Sequence, residues 1–317
     1  MSTKFNWIKK GLVYLPDGSK SWSKSHAQVP VVDFIDETNT IKVYFSTRDS
    51  KGRSLPDFIE LDADDPFKII NYNSEPILDL GELGTFDDCG VMPSWIVNHS
   101  NKKYLYYIGW NVRNTIPYHN SVGLAVSEDG GKTFSKYSNG PLWDRDHLEP
   151  HYSGTSCVLI ENGIWKNWYL SCTEWRIING RPEPRYHIKY AESTNGIDWM
   201  RKGDVAVDYL NRDEAGIVKA SVLKEAGVYK MWYSYRKFAN YRTRSLNSYR
   251  IGYAESIDGI TFIRKDDLAG IDIGDTGWDS EMICYPHVID IKGKRLMFYN
   301  GNSFGKSGFG YAELSYE

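Results

Sequence analysis

Residues 253–262 read Tyr-Ala-Glu-Ser-Ile-Asp-Gly-Ile-Thr-Phe, and variants of this stretch recur along the chain. The variants begin at Leu124, Tyr190 and Tyr311, roughly 60 residues apart, and self-similarity at such a period is the signature of a repeat architecture. The first two continue into Asp129-Gly130-Gly131 and Asn195-Gly196. Asp-Gly and Asn-Gly accept the positive φ that a tight turn requires, so these repeats predict β-hairpins.

Two further strands are predicted upstream of each hairpin, an aromatic one and, before it, an apolar one. The aromatic runs are Val43-Tyr44-Phe45, Tyr104-Leu105-Tyr106-Tyr107, Trp168-Tyr169-Leu170, Met231-Trp232-Tyr233 and Leu296-Met297-Phe298-Tyr299, and the apolar runs surround Val31, Trp95, Val158, Val222 and Val288. Units of four antiparallel strands that bury one face against each neighbour are propeller blades. The sequence therefore predicts an all-β, five-bladed β-propeller that forms a single domain over residues 1–317, with almost no helix.

The two ends of the chain support a closed ring. The last repeat stops at Tyr311-Ala312-Glu313-Leu314 and lacks a fourth strand. Near the N-terminus, Trp7-Ile8-Lys9-Lys10-Gly11 matches Trp199-Met200-Arg201-Lys202-Gly203, the outer strand of the third unit. The N-terminal strand is therefore predicted to complete the last blade, which would remove an exposed sheet edge.

Composition narrows the classes of function. The 317 residues include 11 Trp, 23 Tyr and 12 Phe, and the formal net charge is −3. Aromatic rings suit strand packing and equally suit the flat apolar faces of sugars. The chain has no long run of Lys or Arg, so the electrostatic footprint of a nucleic-acid or anionic-membrane binder is missing.

Targeting signals and cysteine spacing add further expectations. No stretch approaches the roughly 18 apolar residues that span a bilayer, and the start Met1-Ser2-Thr3-Lys4-Phe5 has no apolar signal region. We therefore expect a cytoplasmic protein. The four cysteines form no Cys-x-x-Cys pair, so we expect buried thiols, no disulfides, no metal site and no cofactor. The oligomeric state stays open.

In a propeller, the innermost strand of each blade begins on one face of the ring, so the strand starts converge on a central pocket. Three starts carry a pair of carboxylates: Asp87 with Asp88, Asp213 with Glu214, and Asp279 with Glu281. Crowded carboxylates shift in pKa, which is the condition that acid and base catalysis needs. The first member of each pair also fits an architectural cap at the strand entrance. The second members are the predicted catalytic residues, namely Asp88, Glu214 and Glu281.

The second strand of each blade returns to the same face, so its end is expected at the pocket rim. Flat aromatics there suit stacking on a sugar, and arginines bind hydroxyls or carboxylates, although solvated loops have similar compositions. The predicted substrate-binding residues are Arg48, Trp110, Glu149, His151, Glu174, Trp175, Asp213, Lys219, Arg236, Tyr285 and His287. The histidines equally suit structural hydrogen bonds. Residues 236–250 predict a long loop that is a lid, a phosphate-binding flap or a solvated surface loop.

Two segments resemble the blade openings of the five-bladed propeller glycosidase superfamily, which includes glycoside hydrolase families 32, 43, 62 and 68 and the mannoside phosphorylases of family 130. They are residues 80–95, Leu-Gly-Glu-Leu-Gly-Thr-Phe-Asp-Asp-Cys-Gly-Val-Met-Pro-Ser-Trp, and residues 273–281, Ile-Gly-Asp-Thr-Gly-Trp-Asp-Ser-Glu. With the Asp-Gly hairpins, the resemblance covers essentially the whole chain. It implies the propeller fold and a sugar substrate.

The catalytic motifs of those families are not found in this chain. The Asn-Asp-Pro-Asn motif of the fructosidases and the Glu-Asp-Pro-Arg motif of the phosphorylases are both absent. Arg212-Asp213-Glu214 only partly resembles an Arg-Asp-Pro motif, and Val29-Pro30 stands where family 43 has an Asp beside a Pro. Catalytic assignments therefore do not transfer from the resemblance.

Three hypotheses on function follow. The first is a glycoside hydrolase-like enzyme that acts on a carbohydrate in the central pocket through a pair of carboxylates. The second is a non-hydrolytic sugar-binding or sugar-modifying propeller, phosphorylase-like or transferase-like, in polysaccharide metabolism. The third is a protein-interaction propeller, for which a pocket plugged by side chains is expected.

Overall fold

The structure, a computed structural model, describes residues 4–316, so residues 1–3 and 317 of the predicted domain lie outside it. Strand accounts for 54% and helix for 4%, which confirms the all-β prediction. In chain order the strands are β1 Asn6–Tyr14, β2 Ser25–Ile35, β3 Thr40–Arg48, β4 Ser54–Asp62, β5 Ile69–Tyr72, β6 Gly90–His99, β7 Lys102–Val112, β8 Tyr118–Ser127, β9 Ser135–Lys136, β10 Val158–Glu161, β11 Ile164–Ile178, β12 Arg181–Ser193, β13 Met200–Val207, β14 Glu214–Glu225, β15 Val228–Lys237, β16 Arg250–Ser256, β17 Ile263–Arg264, β18 Cys284–Ile291, β19 Lys294–Asn300 and β20 Phe309–Ser315.

The helical segments are short. They are the 3-10 turns Asp36–Thr38, Ser245–Asn247 and Asp266–Leu268 and the helical turn Asn302–Gly305. Within residues 4–316, no helix combines the length and the apolar character that crossing a membrane requires.

Strands that follow one another pair antiparallel in groups of four: β2 to β5, β6 to β9, β10 to β13 and β14 to β17. Single parallel bridges, Ser54 with Gly90 and Tyr186 with Gly216, join two pairs of neighbouring groups. A last group contains β18, β19, β20 and the N-terminal strand β1. Because β1 pairs antiparallel with β20, the predicted completion of the last unit by the N-terminal strand is confirmed.

The predicted hairpins are confirmed and share one construction. In residues 193–199, the Ser193 hydroxyl donates to Asn195, and the side-chain oxygen of Asn195 accepts two backbone N–H groups. Gly196 has a φ of 73°, and a Cβ at this position would lie 2.6 Å from the Trp165 ring. Both the positive φ and the lack of space require glycine here.

The hairpins also hold one unit against the next. The Tyr106 hydroxyl of β7 donates to the Gly196 carbonyl at 2.6 Å, and Trp168 Nε1 of β11 donates to the Gly259 carbonyl at 2.8 Å. The aromatic strand of one unit thus reaches the hairpin of the following unit. This contact is the physical reason that aromatic runs and hairpins recur together in the sequence.

The first strands of the units lie side by side around a common axis. Backbone N–H groups donate across neighbouring units, from Ser156 to Ser94, Lys219 to Thr155, Val288 to Ser221 and Val32 to His287. Strand β2 also contacts β6. A cavity of about 370 Å³ on the axis is lined by residues of every first strand, among them Val32, Trp95, Val158, Val222 and Val288. This arrangement of sheets is typical of a propeller.

The cysteines are free thiols, as predicted. Cys157, Cys172 and Cys284 are buried, whereas Cys89 is half-buried. Burial raises the pKa of the Cys157 and Cys172 thiols to about 12. Because the thiolate is the reactive form, these cysteines are inert packing residues.

Candidate functional site

A second cavity of about 370 Å³ opens on the face where the first strands begin. Strand starts and second-strand ends meet there, which is the location expected from the sequence. The lining residues are His26, Gln28, Arg48, Met92, Trp110, Tyr118, Asn120, Arg242, Tyr285, Ser303 and Phe304. We call this space the strand-start cavity.

Irregular pairing shapes the wall of the strand-start cavity. The register of β2 against β3 shifts just after Ser25, and that of β18 against β19 shifts just after Cys284. Inside these bulges His26 has a φ of 64° and Tyr285 a φ of 57°. Bulges re-aim side chains beside functional sites, and non-glycine residues at positive φ cost on the order of 1–3 kcal/mol each. The rest of the fold therefore maintains this geometry against local strain.

Arg48 ends β3 and connects two walls of the cavity. Its Nε donates to the Gln28 side-chain oxygen at 3.1 Å, and its Nη1 donates to the Gly52 carbonyl at 2.8 Å. The guanidinium lies 5.4 Å from the centre of the Trp110 ring, a cation–π contact. Burial lowers the pKa of Arg48 from its ordinary value, yet arginine stays protonated in proteins.

Trp110 and His26 flank this arginine. Trp110 Nε1 donates to the Ser54 hydroxyl at 3.0 Å, which fixes the plane of the ring. Burial and the nearby Arg48 charge lower the pKa of His26 to about 4. His26 is therefore neutral at pH 7, and its ring can both donate and accept hydrogen bonds.

A loop covers another side of the cavity, since residues 238–249 connect β15 and β16. Most of the predicted segment 236–250 is thus a loop, while its ends belong to strands. Arg242 of this loop lies 5.6 Å from the Phe304 ring and pairs with Glu183 at 3.3 Å. The loop thereby contributes a cation whose charge is already neutralised by a carboxylate.

Behind the wall, Arg236 is fully buried among aromatic rings. Its Nε lies 3.3 Å from the hydroxyls of Tyr186 and Tyr249, and its guanidinium lies 3.8 Å from the centre of the Tyr241 ring. Its remaining hydrogen bonds go to backbone carbonyls. Arg236 was predicted to bind substrate, but it does not line the cavity.

Several carboxylates near the strand starts serve the units themselves. Asp87 accepts the Tyr107 hydroxyl at 3.0 Å and pairs with Lys136 at 2.7 Å. Asp279 repeats this arrangement with the Tyr299 hydroxyl and Lys9, each at 2.9 Å. In each of these two units, a carboxylate accepts a hydrogen bond from a tyrosine of the second strand and forms a salt bridge with a lysine of the outermost strand. This supports the architectural interpretation of Asp87 and Asp279.

The structure places the three predicted catalytic residues outside the lining of the strand-start cavity. Both Glu214 oxygens bind Arg264, at 2.5 and 2.8 Å. Asp88 accepts the Gly84 N–H with one oxygen, and its other oxygen is buried. Glu281 is exposed. The catalytic role of the three stays a prediction.

Of the predicted substrate-binding residues, Arg48, Trp110 and Tyr285 line the cavity. Trp175 packs behind the wall, with its ring centre 5.6 Å from that of Tyr118. Lys219 and His287 lie on the axis against Trp95, at 4.7 and 4.5 Å from its ring centre. The other predicted residues outside the lining are Glu149, His151, Glu174, Asp213 and Arg236.

Several lining residues were not predicted: His26, Gln28, Met92, Tyr118, Asn120, Arg242, Ser303 and Phe304. His26 and Gln28 stand at a strand start, and Arg242 stands in the predicted loop, so position alone could have indicated them. Tyr118 and Asn120 begin a third strand, which the sequence pattern did not connect with the pocket. Ser303 and Phe304 belong to a turn with φ values of 55° and 60°, and no sequence signal marks that turn.

Among residues 4–316, no group of three or more His, Cys, Asp or Glu side chains is arranged to hold a metal ion. The strand-start cavity contains one histidine and no carboxylate in its lining. Its aromatic rings, amides and guanidinium groups are instead the groups that bind sugars and anions.

Comparison with curated proteins finds two sequence relatives from Mycobacterium tuberculosis. They are "Uncharacterized protein Rv1502" of strain H37Rv and "Uncharacterized protein MT1551" of strain CDC 1551 / Oshkosh. Each is 37% identical over 308 residues, which is 97% of this chain and 99% of the relative. No protein-family model matches the chain.

Several solved structures share the fold of this chain. A complex of BT0996 with RGII has a TM-score of 0.73 at 16% identity and covers 99% of this chain and 92% of its own. A structure from work on glycoside hydrolases of "the GH130 family of mannoside phosphorylases" has a TM-score of 0.72 at 14% identity, covering 98% and 94%. A thermostable family-43 glycoside hydrolase has a TM-score of 0.65 at 17% identity, covering 94% and 90%. The predicted likeness of this chain to the propeller glycosidases is therefore confirmed at the level of the fold.

Proposed function

We propose that this chain, which belongs to the same family as the two Mycobacterium tuberculosis proteins, is a glycoside-active enzyme built as a single five-bladed β-propeller. The observation that carries the proposal is the composition of the strand-start cavity. Flat rings and hydrogen-bonding groups meet there, at the mouth of a fold shared with glycoside hydrolases. We place the carbohydrate in this cavity.

The rings supply the surface for a sugar. Trp110, Tyr118, Tyr285 and Phe304 line different sides of the cavity, and apolar faces of sugar rings stack on such side chains. Trp110 is the best placed of them, because its hydrogen bond to Ser54 and its contact with Arg48 hold the indole in one orientation.

Polar groups supply the orientation. Asn120 has an amide that can donate to and accept from hydroxyl groups, and neutral His26, whose Nδ1 bonds with the Ser25 hydroxyl, offers its Nε2. A few placed polar groups among aromatic walls are the usual design of a small-molecule site. A cavity of about 370 Å³ is also within the size range of ligand pockets, roughly 300–1,000 Å³.

Asp88 and Glu281 are the candidate acid and base for cleavage of a glycosidic bond, because neither carboxylate is in a salt bridge within the described part of the chain. Glu214 is the weakest candidate, since Arg264 holds both of its oxygens. Hydrolysis by two carboxylates requires a separation of about 5 Å for retention or about 6.5–9.5 Å for inversion.

The composition of the lining also favours the second hypothesis, a propeller that binds or modifies sugar without ordinary hydrolysis. No Asp or Glu is among the residues that line the strand-start cavity. A glycoside hydrolase that works through two carboxylates needs both of them at the scissile glycosidic bond. Turnover of aryl glycosides that is abolished by Asp88→Asn or Glu281→Gln would favour hydrolysis, whereas sugar binding without turnover would favour the second hypothesis.

Replacing Trp110 with alanine is expected to weaken carbohydrate binding about tenfold, equivalent to about 1.4 kcal/mol, because the stacking surface is lost. Trp110→Phe, which keeps a ring, is expected to bind within about threefold of the original protein. Tyr137→Ala removes an exposed aromatic that does not line the cavity, so it is the matched control. Calorimetric titration against a panel of mono- and oligosaccharides is the measurement.

The proposal fails if the folded protein binds no carbohydrate in that panel at millimolar concentration. If Trp110→Ala and Tyr137→Ala bind carbohydrate with equal affinity, the proposed place of binding is wrong. Thermal unfolding of each variant shows whether a loss of binding reflects a loss of fold.

A further inference from the structure

Cationic side chains line the strand-start cavity, although the whole chain has a net charge of −3. Its lining contains Arg48 and Arg242 and neither Asp nor Glu. The positive charge of Lys306 also acts on His26, which helps to lower the pKa of that histidine. The local excess of cations is therefore not a consequence of overall composition.

Arg48 is the cation that most needs a partner. Arg242 pairs with Glu183, but Arg48 forms no salt bridge with any carboxylate in residues 4–316. Its hydrogen bonds use Nε and Nη1 and end on neutral oxygens, so Nη2 remains available. The neighbouring Asp49 carboxylate attracts Arg48, but Asp49 is itself paired with Arg53 at 2.8 Å. A guanidinium that is mostly removed from water and has no salt-bridge partner is costly, and an anionic ligand would offset that cost.

Arg236 strengthens the field from behind the wall. It is 1% exposed and its hydrogen-bond partners are hydroxyls and backbone carbonyls, all neutral. The Tyr249 ring, which Arg236 contacts, lies 5.8 Å from the ring of Tyr285 and 6.0 Å from that of Phe304, both of which line the cavity. Only one aromatic layer separates this charge from the cavity, and charges act more strongly through such low-dielectric surroundings.

We propose that the carbohydrate bound in the strand-start cavity carries a negatively charged group, a carboxylate or a phosphate, that pairs with the Arg48 guanidinium. This inference rests on the proposed function and names its substrate class. The aromatic walls contact the sugar ring, and the free Nη2 group of Arg48 donates to oxygens of the charged group. Arginine matches carboxylate and phosphate equally well in geometry, so binding experiments with both kinds of ligand are needed to distinguish them.

The test is calorimetric titration of the full chain with glucose, galactose and mannose, with their uronates, with their 1-phosphates, and with inorganic phosphate. We expect the charged members to bind at least tenfold more tightly than the neutral sugars. Raising NaCl from 50 to 500 mM is expected to weaken the charged ligands and leave the neutral ones unchanged. Tight binding of uronates alone identifies a carboxylate, and tight binding of 1-phosphates identifies a phosphate.

Arg48→Gln is expected to remove the preference for charged over neutral sugars, and Arg48→Lys is expected to retain part of that preference. Lys202→Gln removes a charge from the exposed side of β13 and is the matched control. Equal affinities for charged and neutral sugars, or an undiminished preference in Arg48→Gln, would overturn the inference. Binding of neutral sugars alone would leave the proposed function standing, whereas Arg48-dependent binding of inorganic phosphate with no binding of any sugar would contradict the proposed function.

Discussion

Replacing Glu149 with alanine is expected to lower the free energy of unfolding by about 3–5 kcal/mol, the usual cost of removing one partner of a buried ion pair. Glu149 is 4% exposed. It accepts the Tyr169 hydroxyl at 2.8 Å and the Ser171 hydroxyl at 2.9 Å, and it pairs with Lys189 at 3.3 Å and Arg201 at 3.4 Å. The variant leaves two largely buried cations without this carboxylate and two hydroxyls without an acceptor.

Urea unfolding followed by tryptophan fluorescence measures the effect. The matched control is Glu128→Ala, which breaks the exposed ion pair with Lys102 and is expected to change the free energy of unfolding by less than about 1 kcal/mol. Glu149 was predicted to bind substrate, and its contacts instead indicate a structural role. A Glu149→Ala variant of unchanged stability that lost carbohydrate binding would contradict the structural role.

Replacing Lys219 with methionine is expected to raise the free energy of unfolding at pH 7 by about 2 kcal/mol, because an unpaired buried charge is removed. Lys219 is 0% exposed, and its ammonium group has no hydrogen-bond partner among residues 4–316. Its surroundings are the Trp95 ring at 4.7 Å, the buried His287 imidazole and the Cys157 thiol. None of these neighbours supplies a negative charge at neutral pH, and methionine fills a similar volume.

The pH dependence gives this prediction a second measurement. Burial lowers the pKa of Lys219 from 10.5 to about 8. The unfolded chain therefore binds more protons than the folded one between pH 8 and 10.5, so this lysine makes stability rise with pH in that window. The rise amounts to about 3 kcal/mol for a shift of this size, and it is absent in Lys219→Met.

The measurement is the difference in free energy of unfolding between the original protein and Lys219→Met, taken from urea unfolding at pH 7, 8, 9 and 10. Because both proteins contain the same tyrosines, which titrate in the same range, this difference reports on Lys219 alone. Lys202→Met, at an exposed lysine of β13, is the matched control and is expected to change neither the stability at pH 7 nor its slope with pH. The prediction is wrong if Lys219→Met is less stable than the original protein, or if the difference in free energy of unfolding stays constant from pH 7 to 10. Either result would show that the charge of Lys219 has a partner in solution.

The architecture could be predicted because it depends on local chemistry that repeats. Asp-Gly and Asn-Gly turns require their residues whatever surrounds them, and alternating aromatic runs indicate strands that are buried on their faces. The pairing of Trp7 with Leu314 could be anticipated because the N-terminal strand has the same pattern as an outer strand elsewhere. Because the four-strand unit repeats along the chain, its sequence pattern could be compared among several copies. The agreement among the copies supported a prediction that a single copy would have supported only weakly.

The lining of the strand-start cavity was predicted only in part. Arg48, Trp110 and Tyr285 were correctly located beside the cavity, because the ends of strands in a repeat can be placed from their register. Glu149 and Glu214 were located near strand starts but proved to be engaged with Arg201 and Arg264. The sequence cannot show this, since the arginines come from outer strands about 50 residues away in the chain.

The repeating hairpin unit, the all-β class and the face on which strand starts collect could all be read from the order of residues, because those features follow from turn chemistry and strand periodicity. Which charges are paired became visible only in three dimensions. Asp279 with Lys9, and Glu214 with Arg264, are neutralised by contacts between distant segments, whereas Arg48 and Lys219 are not. Pairing depends on distances of a few ångströms across the fold, and those distances leave two arginines and no carboxylate in the lining of the strand-start cavity, where the sequence predicted a ring of carboxylates.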